Sequence, residues 1–264
     1  MNNNWLKQTV QTPLYDNLIW SRPENKLHSG RALVIGGSSH GFSKTVNSYE
    51  RLLRAGIGQV TILLPKSVQK ILGHISEDVI YCPSTDSGSF SSEALGDMLD
   101  FSNSSDGIFL CGELSNNSQT LVVIEKLITE TIKPVVITDD SIDLVLHFDS
   151  NIINRDNMIF VGNLDKIQRL LTKLKSDQAI TSNIALSNLV EIMQKFTLTN
   201  KLCIVTIHQD FVINAKNGVV LTTKIESPKY QSITELIYDI VCWVIQNPEN
   251  KFEALSCAAI TYQN

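Results

Sequence analysis

The chain of 264 residues has no apolar run approaching the about 18 residues that a membrane-crossing helix needs. That argues against a hydrophobic membrane anchor. Cysteine is sparse: Cys82, Cys111, Cys203, Cys242 and Cys257 are odd in number, widely spaced and lack any Cys-x-x-Cys pair. This excludes a disulfide framework and a zinc ribbon, and predicts free thiols in a reducing cytoplasm. The five histidines are scattered, so no metal site is legible. Basic residues are few as well, with 22 Lys and Arg against 27 Asp and Glu and a net charge of −5. Without a basic stripe, nucleic acid is not an expected partner. The opening "MNNNWLKQTVQ" lacks the charged-then-apolar order of a secretion signal. Internal repeats and low-complexity tracts are missing too, and the polar stretch 83–93 reads as a loop, not a domain boundary.

What remains is an ordinary globular composition, 43% hydrophobic, long enough to bury a large core. From residue 31 onward, short apolar runs alternate with helix-like stretches. "ALVIGG" (32–37) reads as a strand, and residues 43–55 as a helix with Val46, Tyr49, Leu52 and Leu53 at helical spacing. "QVTILLP" (59–65) reads as a β-branched strand that stops at Pro, followed by a short helix at 66–73. "DVIYCP" is a short strand, and "SSEALGDMLDF" opens like a capped helix. "GIFLCG", "KPVVITDD" and "NMIFVG" read as strands, with helices at 116–130 and 163–175. Continuous apolar runs between helices fit strands covered on both faces, hence an α/β architecture with a mostly parallel sheet.

The last third changes character. "KLCIVTIHQDFVINAKNGVVLTTK" holds three β-like runs, and its Asn-Gly is a hairpin signal. Two helices follow, about 232–246 and 250–261, the first with Leu236, Ile240, Trp243 and Val244 on one face.

The order of these pieces resembles the ADP/ATP-dependent NAD(P)H-hydrate dehydratases. The strongest likeness lies in "LVIGGSSHGFSKTVNSYERLLRAGIGQVTILLP", with Gly37-Ser38, Phe42, Ser43-Lys44 and Leu53-Arg54-Ala55-Gly56-Ile57-Gly58 at the family's spacing. "DGIFLCGELSNNSQT", "KPVVITDD", "FVINAKNGVVLTT" and "NKFEALSCAAITY" continue it. The resemblance implies a ribokinase-like three-layer sandwich over residues 30–264, with residues 1–29 as a lead-in packed on that domain. It also implies a homo-oligomer, and repair of hydrated NADH or NADPH by phosphorylation from ATP or ADP, with Mg, followed by loss of phosphate. That chemistry needs donors for phosphate oxygens and a carboxylate to activate a hydroxyl.

The motifs that supply those groups in the family are altered here. Its Gly-Thr-Gly-Asp, opening a late helix, corresponds to "YQSITELIYDIV", where Thr234 or Glu235 stands at the position of the Asp and no glycine is present. Ser232, Ile233 and Thr234 would crowd an anion nest, and Ser232 or Thr234 could instead cap the helix. Its Thr-Pro-His-Pro-Gly-Glu corresponds to 161–166, where Asn163 reads most plainly as an N-cap, with ligand binding as the second reading. Ile207, before His208, replaces a lysine. The family's Gly-Pro-Gly-Leu-Gly corresponds to Cys111-Gly112-Glu113-Leu114-Ser115, where Glu113 would repel phosphate. Lys44 stands where the family has a small residue, either as an anion contact or as a solvated side chain. Gly36, Gly37 and Ser38 form either a turn for a small ligand or a tight strand-to-helix connection.

These changes point to a degenerate site and a binding or structural role. The alternatives are an active dehydratase using Glu235 as base with Lys44 on phosphate, or a small-molecule kinase on the same fold. The ligand-binding candidates are therefore Gly36, Gly37, Ser38, Lys44, Gly112, Asn163, His208 and Ser232. The expected ligand is a small molecule or nucleotide, and no metal-binding residue is assigned.

Overall fold

The computed structural model describes residues 4–263. The first three residues of the lead-in lie outside the described residues. The chain opens with strand β1 (Trp5–Gln8) and helix α1 (Asp16–Trp20). The regular alternation follows: β2 (Arg31–Ile35), α2 (Ser43–Ala55), β3 (Gln59–Pro65), α3 (Lys66–Leu72), β4 (Val79–Cys82), α4 (Leu95–Ser104), β5 (Gly107–Leu110), α5 (Ser118–Glu130) and β6 (Val135–Thr138). Then come α6 (Asp139–Val145), α7 (Ser150–Ile153), β7 (Met158–Val161), α8 (Leu164–Lys173) and α9 (Leu186–Thr199). The chain closes with β8 (Cys203–His208), β9 (Phe211–Lys216), β10 (Val219–Lys224), α10 (Ile233–Gln246) and α11 (Lys251–Thr261).

All ten strands join one sheet in the order β1-β10-β9-β8-β7-β6-β5-β2-β3-β4. Pairing is parallel from β8 through to β4, and antiparallel only at β8–β9 and β9–β10. Strands such as β5, β6 and β7 are buried at every position. Both faces are therefore covered, as their unbroken apolar sequences require. One face packs α4, α5, α8 and α9 against residues such as Leu33, Leu110 and Phe160. The other packs α2, α10 and α11 against Val34, Phe109 and Val205. The result is the three-layer α/β arrangement expected from the alternation.

Several boundaries follow the sequence closely. The β9–β10 hairpin turns at Asn217 and Gly218, with φ of 50° and 74°. Two consecutive positive φ values are what an Asn-Gly turn of the primed type supplies at low strain. Leu236, Ile240, Trp243 and Val244 are all fully buried on α10. Three readings are corrected. "KPVVITDD" does not continue as strand to Asp140, because β6 ends at Thr138 and α6 starts at once. The helix in "SSEALGDMLDF" begins with a 3-10 turn, and Ser91 makes no side-chain cap bond. Helix α9 and strand β1 were not expected, and β1 closes the sheet by pairing parallel to β10. Among the described residues, no helix is long and apolar enough to cross a membrane.

Candidate functional site at the carboxyl edge of the sheet

Because β2, β5, β6, β7 and β8 are parallel, their carboxyl ends lie along one edge of the sheet. In open α/β sheets this edge is where ligands bind. Helix α10 runs away from it: Ile245, near its end, packs on Gly30 and Gly107 at the opposite, amino edge. Residues 232–235 thus begin α10 at the carboxyl edge.

The glycine turn after β2 is buried and closely packed. A Cβ on Gly36 would lie 1.8 Å from the Cys111 carbonyl oxygen, and one on Gly112 would lie 2.7 Å from Thr45 Oγ1. Gly37 and Gly112 also hold φ of 85° and 72°. These glycines let the ends of β2 and β5 and the first turn of α2 meet. Since the obstruction at Gly36 is main chain, Gly36→Ala is expected to destabilise the fold by roughly 2 kcal/mol, read as a lowered urea midpoint.

Five amide donors of this turn have acceptors inside the protein. Gly36 N–H donates to the Leu63 carbonyl, Ser38 N–H to Gly41, and Gly41 N–H back to Ser38. The Ser38 hydroxyl oxygen, buried with its residue, accepts from the amides of His40 and Gly41 at 3.3 and 3.2 Å. Ser39 N–H donates at 2.9 Å to the carbonyl of Gly88, so the polar loop 83–93 lies against the turn. Glu113 closes the other side, with a carboxylate oxygen 2.6 Å from where a Gly41 Cβ would stand.

The edge brings only some of the candidate residues together. Gly36, Gly37, Ser38, Gly112 and Lys44 form one cluster, with Lys44 Cβ 3.7 Å from a Cβ built on Gly112. Lys44 is exposed but has a partner within the protein. Asn163 stands three strand positions along the sheet from β2, roughly 14 Å at normal strand spacing. Its side chain accepts from Lys166 N–H at 3.1 Å and caps α8, as the sequence predicts. Asn163→Ala is expected to cost about 1 kcal/mol of stability in the same urea titration. His208 ends β8 buried, its Nε2 2.8 Å from the Ile184 carbonyl, which places the proton on that nitrogen. Ser232 caps α10 by accepting from Thr234 N–H at 3.3 Å. Thr234 is exposed, and Glu235 is paired with Arg51 of α2 at 2.5 Å.

Two residues of this edge escaped the sequence reading. The Ser141 hydroxyl donates to the Gly112 carbonyl at 3.1 Å. Asp143 takes Lys166 at 2.6 Å and Arg169 at 2.5 Å, tying α6 to α8 across the ends of β6 and β7. No local pattern marks either residue, because α6 follows β6 without a connecting loop. Four of the buried cysteines are held in the thiol form. Burial pushes the thiols of Cys82 and Cys257 up to about 12, and those of Cys203 and Cys242 up to about 11.

A magnesium triphosphate fits poorly on this turn itself: the amides of Gly36, Ser38, Ser39, His40 and Gly41 are engaged, and the Glu113 carboxylate lies against Gly41.

No protein-family model matches the chain. It superposes on a ribokinase-like superfamily protein of Enterococcus faecalis with a TM-score of 0.70, covering 99% of this chain and 87% of that one at 15% identity. The fold is ribokinase-like. The same ribokinase-like framework is similar to the Bacillus subtilis ADP/ATP-dependent NAD(P)H-hydrate dehydratase co-crystallised with ATP and Mg2+. That match has a TM-score of 0.64, covers 94% of this chain and 85% of that one, and has 13% identity. In sequence, 146 residues are 26% identical to a bifunctional NAD(P)H-hydrate repair enzyme of Moorella thermoacetica, over 54% of this chain. The match spans 27% of that relative's length. The resemblance to NAD(P)H-hydrate dehydratases thus has support from both fold and sequence.

Proposed function

We propose that this ribokinase-like chain is a non-catalytic relative of the NAD(P)H-hydrate dehydratases, keeping their framework for a binding or structural role. One observation carries the reading: the amides of Gly36, Ser38, Ser39, His40 and Gly41 all donate to acceptors inside the protein. Phosphate binding through those amides would require breaking those bonds, and Gly36 and Ser38 are buried donors that are costly to leave unpaired. Glu113 over Gly41 adds like-charge repulsion against the same oxygens.

The expected outcome with hydrated NADH plus ATP or ADP is no recovery of NADH absorbance above the uncatalysed rate. Backbone amide NMR shifts of residues 36–41 are expected to be unmoved by millimolar ATP, ADP or NADH.

A second reading has one observation in its favour: Glu235 is an exposed carboxylate at the start of α10, on the edge where the reaction would occur. It requires Glu235 to leave Arg51 and act as base. Recovery of NADH that disappears in Glu235→Ala would establish that reading and overturn the first. The family resemblance also implies a homo-oligomer, which sedimentation equilibrium tests.

A further inference from the structure

Away from the glycine turn, on the outer side of α10, a cleft of ≈ 630 Å³ opens between α2, α10, α11 and the turn 228–230. Its size falls in the range of small-molecule sites. The chain carries a net charge of −5, yet four cations line this cleft, Arg22, Arg51, Arg54 and Lys229, against the carboxylates Glu235 and Asp239. Such a local inversion of charge focuses the field on anions.

The cations are placed and not merely present. Arg22 is fixed at the floor, donating to the Ala55 carbonyl and lying 5.0 Å over the Trp243 ring. Arg51 rests 5.3 Å over the ring of Tyr238. Arg51 and Arg54 are three residues apart on α2 and share one helix face. Glu235 already sets a carboxylate oxygen 2.5 Å from Arg51, so that guanidinium faces a point where an anion sits. The pair Arg54–Glu50, at 3.2 Å with both side chains about three-quarters exposed, is the kind of surface contact that contributes little and exchanges readily. Tyrosines 230, 238 and 262 supply apolar walls, and Asp239 lines the interior as an acceptor. Planar guanidinium forks suit phosphate oxygens, and a carboxylate beyond them suits a hydroxyl.

We infer that this cleft binds a phosphate ester of a small hydroxylated compound, with phosphate on Arg51 and Arg54 and a ligand hydroxyl on Asp239. Glu235 occupies Arg51 until the ester displaces it. The cleft lies off the glycine turn but shares Glu235 with the second reading above, so the inference is tested by ester binding and not by the dehydratase assay.

Isothermal titration calorimetry with ribose 5-phosphate, glycerol 3-phosphate and inorganic phosphate tests it. At least one ester is expected to bind about tenfold or more tightly than inorganic phosphate. Arg54→Glu, at an exposed position that leaves the core intact, is expected to weaken that ester about tenfold or more. Arg51→Ala should do the same, and circular dichroism serves as the check on folding. Glu235→Gln is expected to tighten binding several-fold, because it removes the competing carboxylate. The inference is overturned if neither ester binds at millimolar concentration. Equal affinity for inorganic phosphate, or ester binding unchanged in both arginine variants, would overturn it as well.

Discussion

Trp243→Ala is expected to lower the unfolding free energy by about 4 kcal/mol, the largest single-residue effect anticipated in this protein. Trp243 is fully buried in the last turn of α10 and belongs to the core shared by α2, α10, α11 and the sheet. Its indole Nε1 donates to Thr261 Oγ1 on α11 at 2.8 Å. Its ring also carries the guanidinium of Arg22, which fastens the lead-in segment to the end of α2. Truncation would leave a cavity, strip Thr261 of its donor and loosen Arg22 together. Urea denaturation with Trp243→Phe alongside separates these losses. The phenylalanine variant should recover most of the packing but not the hydrogen bond. A Trp243→Ala loss below about 1 kcal/mol would contradict this account of the α10–α11 interface.

Asp239→Asn is expected to stabilise the protein at neutral pH, by up to about 3 kcal/mol, and to leave it nearly unchanged at pH 4. Burial pushes the Asp239 carboxyl from its ordinary 3.8 up to about 6, against the opposing hydrogen bond from Thr261 and the nearby charge of Arg22. Glu235 adds a smaller push in the same direction as burial. The sign follows from proton uptake. Between about 4 and 6 the folded state binds a proton that the unfolded state has released, so stability from this group falls as pH rises through that window. Above it, the folded protein carries a desolvated carboxylate. Asparagine keeps an oxygen for the Thr261 hydroxyl, 3.2 Å from Asp239 Oδ1, without the charge. Melting temperatures of both proteins from pH 4 to 8 should diverge upward in favour of the variant. Parallel curves would show that Asp239 is better solvated than its position indicates.

Legibility from sequence varied with how local the responsible physics was. Helix α2 and strand β3 occupy the residues read for them, 43–55 and 59–65, because the apolar spacing, the glycine after Ala55 and the closing Pro65 are all local signals. Gly56, with φ of 103°, ends α2 in the left-handed conformation that glycine takes at low cost. Asn163 was likewise readable as a cap, since capping depends on residues within one turn. Strand β1 was not readable. Its four residues have one buried side chain, and its partner β10 lies more than two hundred residues away. Helix α9 also went unread, although its Leu189, Val190, Met193 and Phe196 are buried beneath β9 and β10.

The candidate site divides in the same way. The departures from the dehydratase motifs at Glu113, Asn163, Ile207 and 232–235 are written in the residues themselves. Whether the surviving Gly36-Gly37-Ser38 turn offers its amides to a ligand is not, because amides look alike in every sequence.

By itself, then, the order of residues determined the alternation of strands and helices and the buried faces, since each depends on residue type and short-range spacing. Tertiary structure alone decided that loop 83–93 and Glu113 close on the glycine turn, that Glu235 pairs with Arg51, and that four cations converge beside Asp239. Those outcomes rest on contacts between segments far apart in the chain, whose geometry is fixed only when the sheet and its two helical layers pack together.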